Sequence, residues 1–169
     1  MNALDVLKYG HLTVLHTIEG LPESEWETGG VCGVWSVKDI IGHLGAFELM
    51  LVDIMGSFLG NVETPYLDKH LELGPGRFND FEADRRKEWS AAAVMDEYQQ
   101  AYERVMALAA QLPAAIWSKT GTLAWYGSEY DLEDFIAYTY YGHKREHSAQ
   151  IAVYRDTLDG KGLYVKREK

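Results

Sequence analysis

The sequence predicts an all-α protein, an up-down-down-up four-helix bundle with a long crossover between helices two and three. Three observations support this prediction. Four segments place apolar residues at the spacing of amphipathic helices, and the alternation typical of strands is almost absent. The connection between the second and third segments has about thirty residues, so these two helices are free to run parallel.

Helix one is predicted over residues 2–19, where one apolar stripe runs along the segment. His11 lies on this stripe at a position where leucine is expected, whereas His16 lies off it and should be solvated. Gly20 ends the helix, and a loop rich in glycine and tryptophan follows.

Helix two is predicted to begin after Ser36, a good N-cap with Asp39 three residues later as its capping-box partner. The apolar pattern continues to about Phe58. His43 lies between apolar residues at helical spacing, so its side chain should face inward.

The long connection covers residues 59–88 and is interpreted as a crossover, or as a lid over a site, with room for short helix. Helix three should begin at Ser90 and continue to about Leu112, where Pro113 stops it.

Helix four should follow a second loop, residues 114–130, with Asp131 as its cap. It is predicted to run to about Leu158, and Gly160 closes it. The basic tail beyond Gly160 is expected to fray.

Composition narrows the class of protein. With 169 residues, of which 47% are hydrophobic, the chain is expected to form one domain over residues 1–169. The net charge of −10 disfavours binding to nucleic acid. A single cysteine, Cys32, excludes an intramolecular disulfide and suits a reducing compartment. Because no signal-peptide pattern and no run of about 18 apolar residues occur, we expect a cytoplasmic protein without membrane association.

Two histidines in helix four, His143 and His147, are four residues apart and therefore share one helix face. Gln150 lies within the same arc of a helical wheel. With a rise of about 1.5 Å per residue, His43 reaches the level of this pair if helices two and four run antiparallel. By the same estimate His11 lies near this layer.

Three imidazoles leave one to three coordination positions of a divalent metal open, as in a catalytic site, whereas structural zinc sites usually close with four protein ligands. An open position can hold water or a thiolate, whose pKa the metal lowers. Ligation by nitrogen suits zinc, nickel, cobalt or iron(II), and geometry alone does not choose among them.

Simpler interpretations compete for several of these residues. The pair His143 and His147 alone is weak evidence of a metal site, and it lacks the glutamate of the metalloprotease motif. His11 is better explained as a hydrogen-bonded core histidine than as a ligand. Glu146 is better explained as a surface or ligand-orienting group, and Cys32 as incidental. Most tyrosines of helix four should serve packing, although Tyr140 is a candidate for lining the pocket.

Two segments carry a family resemblance. Residues 35–44, WSVKDIIGHL, are similar to the W-S-x-x-D-x-x-x-H-L opening of helix two in the DinB-like superfamily, which includes the YfiT-type and mycothiol-dependent maleylpyruvate isomerase proteins. Residues 141–151, YGHKREHSAQI, resemble the closing H-x-x-x-H-x-x-Q-I of the same superfamily. Helix one and the Leu-Pro-Glu turn after it also fit, so the resemblance covers nearly the full length.

The resemblance implies the up-down-down-up bundle, dimerisation, and a divalent metal on His43, His143 and His147. It also implies a group whose characterised members are often transferases or isomerases that use a low-molecular-weight thiol. The ClbS/DfsB-like self-resistance relatives are similar in the opening of helix two but act as hydrolases on a reactive natural product. Substrate choice should reside in the aromatic loops and in residues 59–88.

Three functional hypotheses follow. The first is a metal-dependent enzyme that directs a bound thiol or water at an electrophilic small molecule, with Gln150 or Glu146 orienting the ligands. The second is a stress or self-resistance protein that sequesters a toxic small molecule without turnover, suggested by the tryptophan-rich loops. The third is a structural dimer in which the metal only stabilises the fold.

Overall fold

A computed structural model describes residues 2–160, which are all-helical and contain no strand. The fraying predicted for the basic tail falls on residues 161–169, outside the described residues. The α-helices of the described chain are α1 (Ala3–Ile18), α2 (Val37–Phe58), α3 (Pro65–Leu73), α4 (Pro75–Arg85), α5 (Ala91–Ala109), α6 (Ala114–Trp117), α7 (Leu132–Phe135) and α8 (Gly142–Asp159).

Helix α2 begins and ends where the sequence predicts. The Ser36 hydroxyl accepts a hydrogen bond from the backbone N–H of Asp39, and the Asp39 carboxylate accepts one from the backbone N–H of Ser36. This reciprocal capping box satisfies two N–H groups that the first helical turn leaves without partners. It fixes the start of α2, and therefore the face on which His43 lies.

The connection between α2 and α5 is helical, since α3 and α4 occupy most of it. Pro65 and Pro75 lie in the first turns of α3 and α4, where a backbone N–H would have no acceptor within the helix. The Asp53 carboxylate of α2 accepts hydrogen bonds from the backbone N–H groups of Tyr66 and Leu67. A side chain of one helix thus caps the next and holds the connection against α2.

The predicted fourth helix contains a π-helical segment. Its cap is as predicted, because Asp131 forms a capping box with Asp134. Between α7 and α8, however, residues Ile136–Tyr141 form a π-helix, which we call the π segment. The wider turn of a π-helix rotates everything beyond it relative to an uninterrupted α-helix. The chain is therefore helical over the range predicted for helix four, but the periodicity did not predict this π-helical segment, which ends just before His143.

Contacts between side chains establish the relative directions of two helix pairs. The ring of Trp35, just before α2, contacts that of His147 in α8. The ring of Phe47, later in α2, contacts that of Tyr140, which precedes α8. Helices α2 and α8 therefore run antiparallel, which is the direction required for His43 to lie at the same level as His143 and His147. Helix α1 runs parallel to α8, because Gly10 lies against Lys144 and Arg155 donates to the Thr17 carbonyl.

Helices α2 and α5 run parallel. Gly42 of α2 lies against Val94 of α5, and Gly45 lies against Tyr98. Because glycine carries no side chain, the two backbones approach closely along this stretch. The long connection through α3 and α4 makes the parallel arrangement sterically feasible.

The apolar interior consists of two clusters, one around Leu7, Met55 and Phe135 and the other around Val14 and Ile41. Between them, on each long helix, stand polar or aromatic side chains that we call the central polar layer. It consists of His11, Glu48, Tyr98, Tyr102 and Lys144.

Helix α2 is long and apolar enough to cross a membrane, but 89% of its most apolar window is buried inside the protein. The packing of α2 against α5, α3 and α4 explains its apolar composition. Among the described residues no other helix reaches this length and apolar character.

His11 is a core histidine, as predicted. Its Nδ1 atom lies 3.1 Å from the Tyr98 hydroxyl, and its ring stacks on Tyr102 with centroids 3.6 Å apart. The side chain is only 3% exposed. Burial, followed by the positive charge of Lys144, lowers the pKa of His11 from 6.5 to about 4. His11 is therefore neutral in the folded protein at pH 7.

We expect acid to destabilise the wild-type protein more than a His11→Gln variant. Neutral His11 contributes stability that is fully present above pH 6.5, the pKa of the unfolded imidazole, and is lost as the pH falls toward 4. Because one pKa unit corresponds to about 1.4 kcal/mol, the wild type should lose about 2 kcal/mol more than the variant between pH 7 and pH 5. Urea unfolding with a chelator present measures the difference.

The matched control is His16→Gln on the exposed face of the same helix, which measures any general effect of a histidine-to-glutamine change in α1. Parallel profiles of the wild type and His11→Gln would contradict the assignment of His11 as a buried neutral base.

Candidate metal centre

The structure brings together the three histidines that the sequence singles out. His43 Nε2 of α2 lies 2.7 Å from His143 Nε2 of α8, and His147 Nε2 lies 3.0 Å from the same atom. The three candidate ligand atoms all lie within 4.8 Å of one another. Three nitrogens bound tetrahedrally at about 2.0–2.1 Å from a metal would be about 3.3 Å apart, so His143 Nε2 would have to move away from the other two nitrogens by about 0.3–0.6 Å to admit an ion.

Gln150 orients one of these rings. Its Oε1 atom lies 2.8 Å from His147 Nδ1 and can only accept, so Nδ1 carries the proton and the Nε2 lone pair is left free for a metal. Of the two predicted orienting residues, Gln150 makes this contact. Glu146 is exposed, and only its charge acts on His147.

The environment keeps all three imidazoles neutral. Burial is the largest cause in each case, because it penalises the charged ring. It lowers the pKa of His43 to about 2, with smaller effects from the neighbouring histidines and Arg86, and it lowers the pKa of His143 to about 4. The pKa of His147 is lowered as well. Neutral imidazole is the form that binds metal, so the residues present fit a divalent cation.

Two aromatic side chains line this site. The Trp35 ring lies 4.9 Å from the His43 ring, and the Phe47 ring lies 4.7 Å from that of His143. Both distances join ring centroids. Since Phe47 is four residues after His43, it lies on the same face of α2. From the sequence, Trp35 was placed in an aromatic loop expected to govern substrate choice, and Phe47 on the inward face of helix two. Neither was assigned to the border of the histidine group, although the i+4 spacing of Phe47 from His43 could have indicated it.

The connection between α2 and α5 borders the site through Phe47. His70 of α3 and Phe78 of α4 pack edge-on against the Phe47 ring, with centroids 6.0 and 6.1 Å away. Part of residues 59–88 thus lies beside the histidine group, and a role of this connection as a lid stays a prediction.

Tyr140, a candidate for lining the pocket, is buried and supports the wall instead. Its hydroxyl donates a hydrogen bond to the Phe47 carbonyl at 3.0 Å, and the two rings contact each other. Cys32 is half-buried in the loop before α2 and is not part of the histidine group.

A cleft of about 400 Å³ opens beside the site. Trp35 belongs to both the cleft and the wall of the histidine group. The other lining residues come from the loop before α2, the start of α2, the second half of α4 and the segment just after α4; they are Glu27, Val34, Ser36, Lys38, Asp39, Asp80, Ala83, Asp84 and Lys87.

The fold and the site together define a class: an all-helical protein in which two antiparallel helices bring three neutral histidines to one point. The chain belongs to the DinB superfamily, whose family profile matches residues 11–151. This range runs from α1 into α8 and includes all three histidines, so it confirms the resemblance found in the sequence. No curated protein and no solved structure matches the chain.

Proposed function

We propose that the protein is a divalent-metal-dependent enzyme that uses a metal-activated thiol or water against an electrophilic small molecule. The observation that carries this proposal is the convergence of three neutral imidazoles, which are too few to complete the coordination of a metal. Membership of the DinB superfamily, whose members bind metals, supports it. The reaction would be of the transferase or isomerase type, or a hydrolysis if water is the nucleophile.

Each residue of the site has a proposed task. His43, His143 and His147 hold the metal through Nε2, and Gln150 fixes the orientation of His147. A bound divalent metal would lower the pKa of water or of a thiol, so that the nucleophile is present at neutral pH. Trp35 and Phe47 exclude bulk water from one side of the group and offer apolar surface to a substrate.

We also propose a topology for the whole helical bundle. Parallel α2 and α5, parallel α1 and α8, and antiparallel α2 and α8 support an up-down-down-up bundle over one domain. Zinc, nickel and iron remain the candidate metals. A homodimer, a cytoplasmic location and a low-molecular-weight thiol as cofactor remain predictions.

Metal analysis of protein purified without a histidine tag tests the proposal. We expect about one zinc, nickel or iron ion per chain, either as isolated or after reconstitution. Adding a low-molecular-weight thiol, such as cysteine, to the cobalt(II) form should produce sulfur-to-cobalt charge-transfer absorption. Absence of that band in a metal-loaded protein would favour water as the nucleophile. Failure to bind any divalent metal after reconstitution would refute the proposal.

The second candidate function is sequestration of a small molecule without turnover. The aromatic walls at Trp35 and Phe47 favour it, because they can hold an apolar molecule whether or not a reaction follows. A His147→Ala variant separates the two functions: a pure binder should keep its affinity for a hydrophobic naphthalenesulfonate dye, whereas a metal enzyme should lose metal and thiol chemistry together.

A further inference from the structure

The central polar layer contains a completely buried ion pair. Lys144 Nζ of α8 lies 2.5 Å from Glu48 Oε1 of α2, and the two side chains are 2% and 0% exposed. Neither charged group makes another hydrogen bond within the described residues. Each charge is therefore compensated chiefly by the other, and the two helices cannot separate at this point without exposing both.

The surroundings hold the pair in one geometry. Lys144 Nζ lies above the rings of Tyr98 and Tyr102 of α5, at 5.9 and 5.7 Å from their centroids. On the α1 side, the absence of a side chain at Gly10 makes room for the lysine stem, because a Cβ there would lie 3.1 Å from Lys144 Cδ. All four long helices thus contribute to the packing of this ion pair.

A gain in the free energy of unfolding does not explain why such a pair is present. Desolvation of two charges offsets their attraction, and apolar side chains of similar size often give an equally stable or more stable protein. What a buried ion pair can supply is specificity, since only one rotation and register of the two helices brings the charges together. In this protein that geometric constraint acts between the two helices that carry the histidines.

The ion pair and the histidine group are neighbours in the chain. Lys144 follows His143 directly, and Glu48 is five residues after His43 on α2. Rotating α8 by about 20° about its axis would move an atom about 6 Å from that axis by about 2 Å. Metal sites tolerate deviations of only about 0.2 Å in their ligand distances. A rotation that breaks the ion pair would thus also separate His143 Nε2 from His43 Nε2.

We propose that Glu48 and Lys144 are positioning residues of the candidate metal centre: their ion pair sets the rotation of α8 against α2 and so brings His143 and His147 to His43. This inference rests on the proposed function for its metal, but it concerns residues that touch neither metal nor substrate.

The test replaces the pair by apolar side chains of similar length, Glu48→Met with Lys144→Met, and compares the cobalt(II) and zinc complexes with those of the wild type. We expect a helical variant with a melting temperature near that of the wild type when both are metal-free. Its zinc affinity should fall about 10- to 100-fold, the range typical for loss of an orienting partner. The intensity of the visible cobalt absorption should also change, because it reports coordination geometry.

Leu51→Ala is the matched control. Leu51 is a fully buried residue of the apolar interior on the same helix, so its truncation should lower the melting temperature by opening a cavity. The cobalt spectrum and the zinc affinity of this control should remain those of the wild type. If the control changes them as strongly as the double variant does, the effect is general destabilisation and the proposal is overturned.

Glu48→Gln with Lys144→Met is the second variant if the first double variant does not fold, since the neutral amide keeps the shape of the Glu48 side chain without its charge. It should show the same loss of zinc affinity and the same spectral change. A wild-type cobalt spectrum and zinc affinity in the folded variants would overturn the positioning role and leave the metal-dependent function standing. A wild-type protein that binds neither cobalt nor zinc would overturn both.

Discussion

His143→Ala should abolish tight metal binding. His143 Nε2 is the atom that lies within 3.0 Å of both other candidate ligand nitrogens, so its removal leaves two imidazoles without a common partner. The loss of affinity should exceed the roughly 10- to 100-fold that loss of an orienting partner costs. Isothermal titration of the metal-free protein with zinc measures it directly.

Thermal unfolding gives an independent measurement. A ligand at about 1,000 times its dissociation constant stabilises the folded state by about 4 kcal/mol, so a chelator should lower the melting temperature of the wild type but not that of His143→Ala. His70→Ala is the matched control, since His70 packs on Phe47 but stands outside the histidine group. Stoichiometric zinc in His143→Ala, at wild-type affinity, would contradict the proposed ligand set.

Inserting an alanine after Tyr138 in the π segment should also destroy the metal site. A π-helical turn already holds one residue more than an α-helical turn, so a second additional residue would rotate the following residues by about 100° and shift them by about 1.5 Å relative to those before. Phe135 and Ile136 are buried on one side of the segment, and His147 and Ile151 on the other. The buried residues on the two sides of the segment cannot all keep their contacts. We therefore expect either zinc affinity to fall more than 100-fold or the free energy of unfolding to fall by about 3 kcal/mol or more.

The control for this insertion is Tyr138→Ala, which places an alanine in the same turn but keeps the length of the backbone. Tyr138 is 66% exposed, so the substitution should leave zinc affinity and stability close to those of the wild type. Zinc titration and urea unfolding of the two variants, side by side, isolate the effect of the added residue. An insertion variant with wild-type affinity and stability would show that the π segment does not fix the rotation of α8.

Local signals in the sequence were sufficient for the helix ends near the site. The Ser36 and Asp39 pair predicted the start of α2 because a capping box involves residues only three apart. The approach of His43 to His143 was also predictable, since periodicity gave the inward faces and the helical rise gave the axial level. The role of these histidines as metal ligands remains a prediction.

Features that depend on distant partners were not predictable. The π segment contains neither glycine nor proline to mark it, and it exists because packing on both of its sides demands a particular rotation. The cap that Asp53 supplies to α3 joins two helices, so no pattern within α3 shows it. Lys144 is charged and would ordinarily be placed on the solvated face of a helix, yet the opposite charge of Glu48 makes its burial possible.

The amino-acid sequence by itself determined that this protein is helical, where α1, α2 and α5 begin, and which three histidines face inward at one level. These properties follow from caps and from the helical period, which act over a few residues. Only the tertiary structure decided the π-helical turn before His143, the burial of Glu48 against Lys144, and the aromatic walls around the imidazoles. Those features arise where side chains far apart in the chain must share one interior, and their energy depends on partners that no local pattern specifies.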